Sequence, residues 1–133
     1  MNNDGLAGWA PRLLSVLRIV SALVLLQYGM TKVLGFPQTQ MSGVSLAGLS
    51  LPGVAGIIEL VGGALLLVGL FARPTAFVLS GLMACAYFIS HAARDFFPVN
   101  NGGNLAVVLC FVFLYLFVAG PGPWSVDAAR KSA

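Results

Sequence analysis

A carboxylate, a lysine, a histidine and an arginine set close together can grip a polar headgroup or pass a proton, and this sequence carries such a set inside otherwise apolar stretches. Glu59 stands alone among Gly, Ala, Val, Ile and Leu, and Lys32, His91 and Arg94 each come after an uncharged run. Asn104 opens the last apolar run and Tyr28 lies one helical turn before Lys32. These six residues form the candidate polar pocket. An ionisable side chain at the centre of a bilayer costs about 2.5 to 3.5 kcal/mol on insertion scales, so such groups face the protein interior and find partners. Glu59 would then be ionised and salt-bridged. A pocket for a polar group is one reading, and an ion pair that only fixes helix register is the other. Lys32 reads either as a partner of Glu59 or as a snorkelling anchor. His91, whose ordinary pKa suits proton transfer, reads equally as a helix-end cap. Tyr28 reads as a pocket donor or as an interfacial aromatic.

The elements that must carry these residues can be derived from composition. Of 133 residues, 59% are hydrophobic and 8% charged, with a mean hydropathy of +0.94. Soluble domains carry roughly a quarter charged residues. This excludes an ordinary soluble enzyme, a disordered chain and a nucleic-acid binder, and it makes the lipid bilayer the expected surroundings. Charges occur at positions 4, 12, 18, 32, 59, 73, 94, 95, 127, 130 and 131. A crossing needs about 20 mostly apolar residues, and the gaps predict helices at 13–33, 54–72, 75–91 and 102–119, the last being short. Exposed loops are excluded from hydrocarbon, so the expected fold is a single all-α, four-helix integral membrane bundle. Asp4 before the first apolar run, with no small-residue cleavage site after it, argues against a signal peptide.

Arg12, Arg18, Arg73, Arg130 and Lys131 fall at one end of this bundle and Lys32 and Arg94 at the other. By the positive-inside rule both termini are expected in the cytoplasm. Glu59 is then roughly 8 Å below the outer end of its helix at about 1.5 Å per residue. The uncharged loop 34–53 would lie outside, as a surface loop or as a lid over a cavity. Arg18 is expected either to snorkel to the inner surface or to bind an anion there, and Arg73 shares that side. Gly56, Gly63 and Gly69, and Ala72, Ala76, Ser80 and Ala84, read as close-packing faces. Cys85 and Cys110 share a depth; inert burial and a redox pair are both open. No cluster with metal-ligand spacing occurs, so no metal is expected, and no haem, flavin or iron–sulfur pattern indicates an intrinsic cofactor.

Four motifs in order, QYGMTKVLGFP from residue 27, GVAGIIELVGGALLLVGLFARPTAF from 53, AYFISHAARDFFPVNNGGN from 86 and GPGPWSVD from 120, resemble the DoxX family of small bacterial inner-membrane proteins. The resemblance runs from about residue 12 to 127. It implies a four-helix membrane bundle in the plasma membrane and a link to oxidoreductase systems, some relatives being subunits of thiosulfate:quinone oxidoreductase. It further implies a pocket from Arg18, Gly29, Lys32, Glu59, Gly62, Gly63, Arg73, His91, Pro98, Asn101 and Gly103, with the tail residues Gly120, Pro121, Gly122, Trp124, Ser125 and Asp127. Many members have His at Tyr28 and Glu at Asn104. The function expected is a membrane subunit of a quinone-linked oxidoreductase or redox-stress complex, at most a subunit of an enzyme. Quinone is then the diffusible carrier, and other redox or membrane subunits, or further copies of the chain, are the expected partners. The alternatives are a small-solute or ion pathway and a non-catalytic membrane scaffold.

Overall fold

The computed structural model describes residues 3–36 and 50–132. Helix α1 spans Asn3–Leu34, α2 Leu51–Val68, α3 Ala72–Ala86, α4 Pro98–Asn101, α5 Asn104–Ala119 and α6 Val126–Ser132, with a π-helical turn at Tyr87–His91 continuing α3. No strand occurs among the described residues. The loop 34–53, expected as a surface loop or as a lid, falls mainly on 37–49, outside the described residues.

Three helices are long and apolar enough to cross a membrane: α1, α2 and α3 with its π-helical turn. Helix α5 is a shorter apolar helix of 16 residues, roughly 24 Å at 1.5 Å per residue. The four form an antiparallel up-and-down bundle. Helix α2 packs on α1 and α3, and α3 packs on α5. Lys32, Glu59 and His91 share the end where the 34–53 loop leaves the bundle, which is the loop end. Arg18, Arg73 and the chain after Ala119 share the opposite, tail end.

The boundaries differ from the sequence expectation for local reasons. Helix α1 begins about ten residues early. Pro11 is inside it, yet residues 5–13 are all exposed, because the helix extends past the packed bundle. Helix α2 stops at Val68 rather than 72, since Gly69 takes a left-handed conformation (φ 75°) and its N–H returns to the Leu65 and Leu66 carbonyls. Helix α3 begins at Ala72, with Pro74 in its first turn, where no intrahelical N–H partner is needed. Helix α5 begins at 104, not 102, because Gly102 (φ 74°) ends the short α4 first.

Small residues bring the helices together. A Cβ on Gly29 would lie 2.7 Å from the Leu60 backbone nitrogen, and one on Gly63 would lie 2.9 Å from Leu26 Cγ. A Cβ on Gly62 would lie 2.8 Å from Leu79. Ala72, Ala76 and Ser80 are buried, so the small-residue face of α3 packs as read from the sequence, while Ala84 is half-buried. Gly69 is instead a helix terminus. The core joins Ala22 and Leu25, Leu66, Leu79 and Met83, and Leu109, Phe113 and Leu116. The outward faces stay apolar, with Val61, Val78, Phe111 and Val118 all exposed, the pattern of helices whose solvent is lipid.

Candidate functional site

Glu59 faces inward from α2 and is 3% exposed. Lys32, in the last turn of α1, donates from Nζ to Glu59 Oε1 at 2.9 Å. The two meet because α1 and α2 touch: a Cβ on Gly56, one turn before Glu59, would lie 2.9 Å from Lys32 Cβ. The second carboxylate oxygen, Oε2, is buried and has no hydrogen-bond partner in the protein. Hydrogen bonds to an ionised group contribute about 1.5–3 kcal/mol, and a buried acceptor left unmade costs a similar amount.

Glu59 and Lys32 line a cavity of about 850 Å³ at the loop end, to which α1, α2, the α3 segment and α5 all contribute. Tyr28, His91 and Arg94 line it too, as do Cys85 and Ser90. Leu25, Leu51, Leu82, Met83, Ile89, Leu105 and Leu109 supply apolar wall. Five of the six candidates from the sequence thus meet around one space: Tyr28, Lys32, Glu59, His91 and Arg94. Of the basic residues, Lys32 is the one in ion-pair contact with Glu59 among the described residues; His91 and Arg94 line the same cavity. Asn104 is a correction. It is the first residue of α5, exposed and outside the cavity lining, because Gly102 and Gly103 turn the chain just before it.

Asn101 is the asparagine that organises this end. It is 1% exposed, with Nδ2 donating to Tyr87 Oη at 3.2 Å and to the Asp95 carbonyl at 3.0 Å. Its Oδ1 accepts from Gly103 N at 2.8 Å. His91 Nδ1 lies 3.0 Å from the Asn101 carbonyl; a carbonyl only accepts, so Nδ1 carries the proton and Nε2 of the neutral ring is an acceptor. The π-helical turn, closed by Ala92 N to Tyr87 O at 2.8 Å, admits one extra residue and rotates the chain beyond it by about 100°. Tyr87 and His91 thereby both reach Asn101. Gly103 must lack a side chain, since a Cβ there would lie 2.7 Å from the Tyr87 ring. The family resemblance implied Asn101 and Gly103; Tyr87 carried no sequence signal, because its role depends on the π-helical register.

The tail end is built differently. Arg18 is 1% exposed and neither snorkels nor presents itself to the surface. Its guanidinium donates to the carbonyls of Pro121, Trp124 (2.6 Å) and Leu67 (3.4 Å). Ser15 Oγ accepts from Trp124 N at 3.1 Å. Asp127 accepts from Phe71 N (3.0 Å) and Ala72 N (2.8 Å), which caps the start of α3 from a distant part of the chain. Arg73 donates to the Phe117 and Val118 carbonyls at 3.3 and 2.7 Å, capping α5. The GPGPWSVD stretch is therefore a clasp that closes the bundle. Cys85 and Cys110 are free thiols. Cys85 lines the loop-end cavity, whereas Cys110 lies beside Ser80, whose hydroxyl donates to its carbonyl at 2.7 Å. No group of three or more His, Cys, Asp or Glu able to hold a metal occurs among the described residues.

Comparison with known proteins accords with this architecture. The DoxX family matches residues 13–92, which covers α1 from Leu13 onward, α2 and α3 with its π-helical turn. An uncharacterized protein of Haemophilus influenzae is 43% identical over 96% of each chain. Two proteins of Escherichia coli K12 are also similar. Inner membrane protein YphA is 31% identical over 88% of this chain and 89% of its own. Inner membrane protein YqjF is 30% identical over 84% of this chain and 87% of its own. No solved structure matches. The chain belongs to the DoxX family and is a multi-span protein of the bacterial inner membrane.

Proposed function

We propose that the loop-end cavity binds the head ring of a lipophilic quinone, and that the protein serves as the quinone-binding membrane subunit of a redox system whose electron-transferring centre lies on a partner. The observation that carries this reading is the Glu59 carboxylate, with Oε1 held by Lys32 and Oε2 buried without a partner in the wall of a mostly apolar cavity. Such a cavity suits a ligand with a polar ring and a greasy body. A quinone supplies paired electron and proton carriage. The chain's own residues supply the rest. Glu59 Oε2 accepts a hydrogen bond from a ring hydroxyl of the reduced form. Lys32 holds the compensating charge, and His91 Nε2 offers a second acceptor. Leu82, Met83, Leu105 and Leu109 take the ring face and the start of the chain.

At the tail end the Arg18 Nη groups and the Asp127 carboxylate are engaged with backbone carbonyls and amides rather than ranged towards Glu59, which favours a one-sided pocket over a path through the bundle. The test is a binding titration of a short-chain quinol against the protein in nanodiscs. Glu59→Gln removes the charged acceptor and should weaken binding about tenfold or more, the equivalent of about 1.4 kcal/mol or more from the lost charged hydrogen bond, with the helical circular-dichroism signal unchanged. Equal affinity of both proteins would refute the site.

A further inference from the structure

A second cavity lies at the tail end, outside the clasp and remote from Glu59. It has a volume of about 640 Å³ and presents Arg73, Arg130 and Lys131 together with Phe71, Pro74 and Pro123. Asp127 is the acid in its lining, and both of its oxygens already accept backbone N–H groups, from Phe71 and Ala72. The basic side chains thus outnumber the acid, and the acid is occupied.

The cavity is shaped by the same contacts that close the bundle. Arg73 is held at its wall through Nη1, which donates to the α5 carbonyls. Phe71 adopts a left-handed backbone conformation (φ 50°), uncommon for a bulky residue and fixed here by Asp127. This keeps its ring outward, with the Arg130 guanidinium 5.5 Å from the ring centroid. The result is a cationic rim beside an apolar wall at the end of membrane-spanning helices. Basic pockets of that kind take lipid phosphates, and each Lys or Arg near an anionic membrane surface contributes about 1 kcal/mol.

We propose that this cavity binds the phosphodiester headgroup of an anionic phospholipid from the leaflet at the tail end. The phosphate sits among Arg73, Arg130 and Lys131, and the glycerol and first acyl carbons lie on Phe71 and the prolines. A zwitterionic lipid brings its own cation to the same rim and is disfavoured. Soluble phosphate has the charge but nothing to place on Phe71.

Competition between phosphatidylglycerol and phosphatidylcholine for the purified full-length protein, read by native mass spectrometry, tests this. The wild type should retain phosphatidylglycerol preferentially. The double substitution Arg130→Gln with Lys131→Gln should lower that preference about 25-fold, from two contributions of about fivefold each. Arg12→Gln changes the charge elsewhere at the same end and should leave the preference intact. The exchange Arg130→Lys with Lys131→Arg keeps the charge and should retain it. Four results would each overturn the proposal: no preference in the wild type, loss in Arg12→Gln equal to that in the double variant, loss in the charge-keeping exchange, or displacement of phosphatidylglycerol by an equal concentration of inorganic phosphate.

Discussion

Lys32 reaches Glu59 by crossing bare backbone: its Cβ would be only 2.9 Å from a Cβ on Gly56, and its Nζ lies 2.9 Å from Glu59 Oε1. The charge pair and the glycine contact between α1 and α2 are therefore one feature. The pair satisfies Oε1 and leaves Oε2 buried without a partner in the protein, so helix packing decides which half of the carboxylate is engaged.

Removing one member of this pair should be worse than removing both. Lys32→Met leaves an uncompensated buried carboxylate, for which a loss of about 3–5 kcal/mol is expected. The double substitution Lys32→Met with Glu59→Met should recover most of that loss, because no charge remains to be desolvated. Reversible unfolding in mixed micelles of the wild type, both single variants and the double variant measures the coupling. A double variant no more stable than Lys32→Met would show that the pair does not account for the cost.

Gly29 is predicted to be intolerant of any side chain. Its Cβ would press on the Leu60 backbone at 2.7 Å, and backbone cannot move aside as a side-chain tip can. Gly29→Ala should cost about 1–3 kcal/mol by forcing α1 and α2 apart. Gly81→Ala, also in a helix but with nothing within 4 Å of the new methyl, should be neutral or stabilising by up to about 1 kcal/mol. Thermal melts of the two variants give the comparison.

Asp127→Ala should loosen the clasp without disturbing the loop-end cavity. The amides of Phe71 and Ala72 lose their acceptor, at a cost of about 0.5–2 kcal/mol typical of an N-cap. Limited proteolysis should then cut after Pro121 faster than in the wild type, while quinol affinity stays within about twofold, since a lost cap acts locally. Unchanged cleavage would mean that Arg18 and Ser15 hold the tail unaided.

The four bundle helices are legible in the sequence because charges in lipid are confined to ends and partners, so the gaps between them trace the helices. Glu59, Lys32 and His91 are legible as a set for the same reason. Helix ends are less legible where a local device overrides the hydropathy. Gly69 stops α2 early, and Gly102 shifts the start of α5 so that Asn104 turns outward. Arg18 departs from its expected surface role because one chain position cannot reveal that the Pro121 and Trp124 carbonyls, more than a hundred residues away, return to meet its guanidinium. Asp127 is invisible as a cap for α3 for the same reason of distance. Helices α4 and α6, of 4 and 7 residues, are too short to carry a periodic signal. Tyr87 joins the site only through the extra residue of the π-helical turn.

Alkylation of the two native cysteines tests the quinone site most directly. Cys85 lines the cavity and Cys110 lies beside Ser80 on the α3–α5 contact, so a small maleimide should label Cys85 faster. Added quinol should slow Cys85 labelling in the wild type, leave Cys110 unaffected, and protect Cys85 far less in Glu59→Gln. Labelling of Cys85 that quinol does not slow, or slows equally in both proteins, would contradict a quinone headgroup seated on Glu59.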